Sequence, residues 1–190
     1  MNARTPITAA RAADLELWTG RPDARAAAWR IWKLGWAGAW FALLLADGAW
    51  LATRGRHAPP QAWTGEARLA VGALAVLAGL CLLAWLTART TRYAIGARAV
   101  TLRYGVALPA TLVIPYAAIA HVAVRIHGDG TGDVALRLKP GPRVIYPKLW
   151  PHARPWRWTR PEPMLRCVPD AGAAAALLCR ALAAQPPAAG

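Results

Sequence analysis

Four histidines are the residues best suited to proton transfer or ligation in this chain: His57, His121, His127 and His152. A metal needs several His, Cys or carboxylate groups at a spacing that lets one element aim them at a single ion. No two of the histidines lie at such a spacing with a Cys or carboxylate. None falls in either long apolar block, where an axial ligand to haem or chlorophyll would be expected. The chain contains no serine, which excludes serine-nucleophile chemistry. Cys81, Cys167 and Cys179 are odd in number and widely spaced, so they form neither a disulfide framework nor a zinc pattern, and they suit a reducing or membrane location. Cys167 would need a neighbouring base to act as a nucleophile, and nothing in the sequence points to one. Gly128-Asp129-Gly130-Thr131-Gly132 is glycine-rich, but it separates two alternating segments instead of opening a helix, so a hairpin turn is expected there rather than a phosphate loop. These residues imply no active site, no cofactor and no metal; the chain reads as a non-enzyme.

The remaining concentration of reactive side chains runs from Arg137 to Arg166, with eight basic residues against Glu162 alone, together with Trp150, Trp156 and Trp158. A basic surface beside a bilayer gains roughly 1 kcal/mol per residue from anionic lipid. Trp and Arg are equally the usual anchors of protein interfaces. Lipid surface and protein partner therefore both stand. Nucleic acid ranks below them, because the segment is short, interrupted by proline and tethered beside apolar blocks.

The elements that must position this segment follow from the charge pattern. The 190 residues carry 23 Lys+Arg and 9 Asp+Glu, a net charge of +14, with 56% apolar residues. That composition excludes a largely disordered chain. The charge avoids two blocks, 34–53 and 69–88, almost entirely: the first holds only Asp47 and the second none. Twenty residues at about 1.5 Å each span roughly 30 Å, the thickness of bilayer hydrocarbon. The Leu and Val side chains of the second block favour insertion by roughly 3 to 5 kcal/mol, whereas Asp47 brings the first block close to neutral. The two are expected to insert together as a transmembrane hairpin with Asp47, an intramembrane polar residue, turned toward protein or water. Basic residues are more numerous on the outer flanks (Arg21, Arg25, Arg30, Lys33, Arg89, Arg92, Arg98, Arg103) than in the connecting segment (Arg54, Arg56, Arg68). By the positive-inside rule both termini are cytoplasmic and residues 54–68 lie outside. Trp29, Trp32, Trp36, Trp50, Trp63 and Trp85 cluster at the block ends, as an aromatic belt would. Small residues along both blocks suit close helix packing or a homodimer contact.

After Arg89 the apolar pattern changes to alternation: Val100, Leu102, Tyr104; Val122, Val124, Ile126; Val134, Leu136, Leu138. Each triplet predicts a half-buried strand, and 90–95, 110–114 and 143–146 are further strand candidates. Asp170 is expected to N-cap a final helix with Ala174, Leu177, Leu178, Ala181 and Leu182 on its apolar face, followed by a frayed tail over 185–190. The expected fold is an α+β membrane protein. It comprises an N-terminal segment 1–33 with an edge strand and a pre-membrane helix, the hairpin, and a cytoplasmic antiparallel β-barrel or sandwich over 89–184 capped by the C-terminal helix.

Two stretches carry a family resemblance. Glu16-Leu17-Trp18-Thr19-Gly20-Arg21-Pro22, followed by an apolar hairpin and then Thr91-Arg92-Tyr93-Ala94-Ile95-Gly96-Ala97-Arg98-Ala99-Val100, resembles the bacterial PH-like membrane proteins, with Gly96 where Ser or Thr is commoner. Val106–Pro109, His127–Asp133, Leu149–Arg157 and Arg160–Arg166 look like the PuhB family of photosynthetic reaction-centre assembly proteins, in the same order along nearly the whole chain. That resemblance implies a non-enzymatic factor or accessory subunit in the inner, intracytoplasmic membrane of a purple-type bacterium. It also implies contact with the reaction-centre H subunit and core antenna, and self-association. Within it, Trp150, His152, Arg154, Trp156, Arg157, Arg160 and Glu162 are the expected partner-binding residues. The alternative is a general PH-like module that binds membrane lipids or serves as a scaffold.

Overall fold

The two charge-poor blocks are long helices. In the computed structural model, which describes residues 16–54, 60–106, 108–140, 149–154 and 161–185, strand β1 (Glu16–Gly20) leads into a short helix α1 (Ala24–Arg30). Asp23 caps α1: its Oδ1 accepts from the Ala26 N–H at 2.7 Å, satisfying one of the donors that a helix start leaves free. Lys33, with φ at 55°, turns the chain through a left-handed corner into α2 (Leu34–Arg54). Helix α3 runs from Pro60 to Thr90. It starts well before the apolar block at Leu69, so it takes in the second half of the segment expected to be a loop. Proline is compatible with this start, since the first helical position needs no N–H donor. Helices α2 and α3 pack on each other, and both are long and apolar enough to cross a membrane.

Beyond α3 the chain alternates and forms strands: β2 (Arg92–Gly96), β3 (Ala99–Tyr104), β4 (Ala110–Pro115), β5 (Ile119–Ile126), β6 (Thr131–Leu138) and β7 (Met164–Pro169). They make two antiparallel sheets, β1-β2-β3-β4 and β5-β6-β7. The N-terminal β1 is thus the edge strand of the first sheet, with Trp18 opposite Ile95 and Gly20 opposite Tyr93. The 128–132 run is the turn of the β5–β6 hairpin, closed by the Gly130 N–H donating to the His127 carbonyl at 3.0 Å. Final helix α4 (Ala171–Ala183) packs on β5 and β6. Both sheets and α4 share one core that includes Tyr93, Ile95, Leu102, Ile114, Leu136, Leu165 and Leu178, all essentially inaccessible to solvent. Each such side chain stabilises the fold by roughly 1.5 to 3 kcal/mol through burial.

Three expectations change. Strand β7 adds to the strands that the sequence pattern predicts, because Met164, Leu165, Cys167 and Val168 are all buried and the strand shows no clean alternation. It is covered on both faces: Leu165 and Val168 belong to the main core, whereas Cys167 packs with Ala26, Ala27 and Ala28 of α1 and Ala84 of α3. A register shift opposite Gly132/Val134 and the positive φ of Cys167 (53°) break the period of two. Asp170 does stand at the start of α4, but it adopts a left-handed conformation (φ 50°) and its side chain makes no capping bond. Gln185, expected to fray, donates from Nε2 to the Ala97 carbonyl at 3.1 Å. The strand candidate at 143–146 lies outside the described residues, as does the tail from 186.

Candidate functional site

The basic Trp/Pro segment is fastened to the second sheet by backbone. Residues 149–154 run antiparallel to 161–164: Arg154 N–H donates to the Glu162 carbonyl at 2.9 Å, and Met164 N–H to the His152 carbonyl at 2.7 Å. Ala153 and Pro163 form an isolated bridge, and Leu136 N–H donates to the Pro163 carbonyl at 2.8 Å. The segment therefore extends the β6–β7 ladder instead of forming a free loop.

The expected partner-binding residues separate into groups. Trp150 is half exposed and meets Trp32 edge-to-face, with ring centroids 5.5 Å apart. Trp32 lies in the corner between α1 and α2, so Trp150 sits at the foot of the helical hairpin. Arg154 is 40% exposed. Trp156, Arg157 and Arg160 lie outside the described residues. Asp47 is exposed along α2.

His152 and Glu162 are corrections, for both are buried. His152 has no solvent exposure and belongs to the core, between Tyr93 and Tyr104. Its Nδ1 lies 2.9 Å from the Tyr93 hydroxyl and its Nε2 3.2 Å from Thr91 Oγ1. The Tyr93 hydroxyl also accepts from the Arg166 N–H at 3.1 Å and donates toward the Arg166 carbonyl at 3.4 Å. Burial, with the nearby Arg166 charge, lowers the imidazole pKa to about 3. Burial likewise raises the Tyr93 hydroxyl far above its ordinary value and pushes the Cys167 thiol up to about 11. A neutral imidazole locked by two neutral hydroxyls is a structural pin, not a poised acid or base.

Glu162 is 7% exposed at its side chain and accepts from Arg154 Nη1 at 2.8 Å and Arg137 Nε at 3.3 Å. Its single negative charge is shared between two of the segment's cations, and it fixes where their guanidiniums point. The residues that sequence reasoning missed as fasteners are Tyr93, Thr91 and Trp32, all distant in sequence and brought near by the fold; Arg137, at the head of the basic segment, is a fastener too. Among the described residues no three His, Cys, Asp or Glu side chains gather as a metal site would require.

Comparisons with known proteins agree with this architecture. The bacterial PH domain family (bPH_2) matches residues 38–182, from within α2 to the end of α4. The chain is 35% identical, over 178 residues, to an uncharacterized 23.7 kDa protein in the puhA 5′ region of Rhodobacter capsulatus; the alignment covers 89% of this chain and 79% of that protein. No solved structure matches it. An α+β chain with two long apolar helices, two antiparallel sheets and a closing helix, matched over most of its length, belongs to the bacterial PH domain family.

Proposed function

We propose that the chain is a non-enzymatic assembly factor or accessory subunit of the photosynthetic reaction centre–core antenna complex. The carrying observation is the 35% identity to the protein of the puhA 5′ region, which points to a photosynthesis-related role. The PuhB-like motifs of the basic segment favour the same role. In this reading α2 and α3 cross the inner, intracytoplasmic membrane as a hairpin, both termini are cytoplasmic, and the sandwich lies against the cytoplasmic face. The Trp32–Trp150 contact supports a docking surface beside the bilayer, because it ties the basic segment to the corner from which α2 departs. A reaction-centre partner with cytoplasmic mass, the H subunit first, then meets Trp150, Arg154, Trp156, Arg157 and Arg160. His152 and Glu162 stiffen that surface from beneath.

Replacing Trp156 and Arg157 with Ala tests this. Reaction-centre yield should fall while the membrane level of this protein stays the same. Normal yield in that variant overturns the docking surface.

A further inference from the structure

A cleft of about 890 Å³ opens between the α1–α2 corner and the outer face of the β5–β6–β7 sheet. Its volume suits a small-molecule or headgroup ligand. One wall carries Trp29, Lys33 and Trp36; the other carries Arg125, Asp133 and Arg166. Arg30 and Arg154 also reach the cleft, but their charges are already engaged, by Asp129 at 2.7 Å and by Glu162 at 2.8 Å.

Lys33, Arg125 and Arg166 differ in that none forms an ion pair with the described residues. Arg166 Nη1 donates to the Pro151 carbonyl at 3.1 Å, while its Nε is buried without a hydrogen-bond partner among them. Among the described lining residues Asp133 is the one acid, and its oxygens accept from the Cys167 N–H at 2.9 Å and lie 3.3 Å from His127 Nε2. Three cations thus face a space whose described lining carries one negative charge, that of Asp133 opposite Arg125. Trp29 and Trp36 are 57% and 78% exposed, and Trp29 packs over Gly35, where a Cβ would strike its ring. Below them the exposed face of α2 is apolar through Trp40 and Leu43, as far as Asp47. Cations above, tryptophans at the boundary and bare aliphatic surface below match the profile of one phospholipid molecule: phosphate, interface, acyl chain.

We infer that this cleft binds the phosphate-bearing headgroup of an anionic phospholipid, whose acyl chains run down α2. The inference rests on reading α2 as a membrane helix with its first turn at the cytoplasmic surface. The bound lipid would fill the gap between hairpin and sandwich and fix the angle at which the domain sits on the bilayer. Only an anionic lipid balances the excess charge; a zwitterionic headgroup brings its own cation into the cleft.

The test uses the full chain purified in non-ionic detergent and examined by native mass spectrometry with added phosphatidylglycerol, phosphatidylcholine or inorganic phosphate. One phosphatidylglycerol should be retained per chain, with phosphatidylcholine held at least tenfold more weakly. Lys33→Gln/Arg125→Gln should lower phosphatidylglycerol retention about tenfold; Arg125→Gln alone, at an exposed strand position, is the second variant should the pair not fold. Equal retention of the two lipids, or unchanged retention in the variants, overturns the site. Displacement of the lipid by millimolar inorganic phosphate also overturns it, in favour of a soluble anion. Alkaline carbonate washing of membranes reads the hairpin separately: a chain that stays in the pellet yet shows no lipid preference removes the cleft proposal and leaves the membrane reading intact.

Discussion

The Tyr93 hydroxyl lies 2.9 Å from Nδ1 of His152, a residue 59 positions later in the chain, and both are fully buried. Through this pair the first sheet is bonded to the basic Trp/Pro segment. Through the Arg166 N–H on the same hydroxyl it is bonded to β7 as well. Thr91, on the other ring nitrogen, adds the end of α3. One imidazole therefore joins the apolar hairpin to both layers of the sandwich.

The pair makes stability depend on pH. His152 titrates near 3 when folded and near 6.5 when unfolded, so below pH 6.5 the unfolded chain binds the proton first. The stabilisation is complete above pH 6.5 and is lost as pH falls toward 3, at up to about 1.4 kcal/mol per pH unit. Between pH 7.5 and 5.0 the full chain in detergent should lose about 2 kcal/mol, a fall of roughly 4 to 8 °C in melting temperature. His152→Gln should flatten that dependence. A variant with the same pH slope as the parent would assign the effect to other groups.

Glu162 and Arg137 should be unequal in a substitution experiment, although they share an ion pair. Glu162 is buried and holds charge-assisted bonds to two arginines, so Glu162→Ala should cost about 1.5 to 3 kcal/mol. The Arg137 side chain is 54% exposed and solvated, and Arg137→Gln should cost less than about 1 kcal/mol. Thermal melting of the two variants decides the order. Equal losses would mean that the carboxylate is not the organising member.

Ala27 sets how close α1 approaches β7. It is inaccessible to solvent and packs with Ala26, Ala28, Ala84 and Cys167, which leaves no room for a larger side chain. Ala27→Leu should cost about 1 to 3 kcal/mol by overpacking. It should also break the bond from the Asp23 N–H to the Cys167 carbonyl, which measures 2.7 Å. With the exposed Cys81 and Cys179 replaced by Ala, labelling of Cys167 by a thiol reagent reads the separation directly. The parent should react slowly, since the thiol is buried with its pKa pushed up to about 11, and the Leu variant much faster. Equal labelling rates would show that the contact does not shield Cys167.

Strands were legible where one face met the core and the other met water. Val100/Leu102/Tyr104 and Val134/Leu136/Leu138 alternate for that reason, and they mark β3 and β6. β7 was illegible because helix and core cover opposite faces, so a period of two has nothing to distinguish. The same limit governed the candidate site. Trp, His, Arg and Glu between 149 and 162 look alike in sequence as polar or amphipathic surface groups. Whether each faces out depends on strands well outside the segment: Tyr93, 59 residues earlier, claims His152, and β6 supplies Arg137 to Glu162 from 25 residues away.

The two charge-poor apolar stretches, the alternating strands, the glycine turn at 128–132 and the family are all legible in the sequence. Composition and period act locally, and a long apolar helix or a hairpin needs no distant partner to be recognised. Packing of the closed fold is what makes His152 and Glu162 internal fasteners and leans Trp150 on Trp32. It also decided that Lys33, Arg125 and Arg166, drawn from three separate elements, face one cleft. Burial and convergence are properties of packed surfaces, which exist only after the sheets and helices have closed on one another.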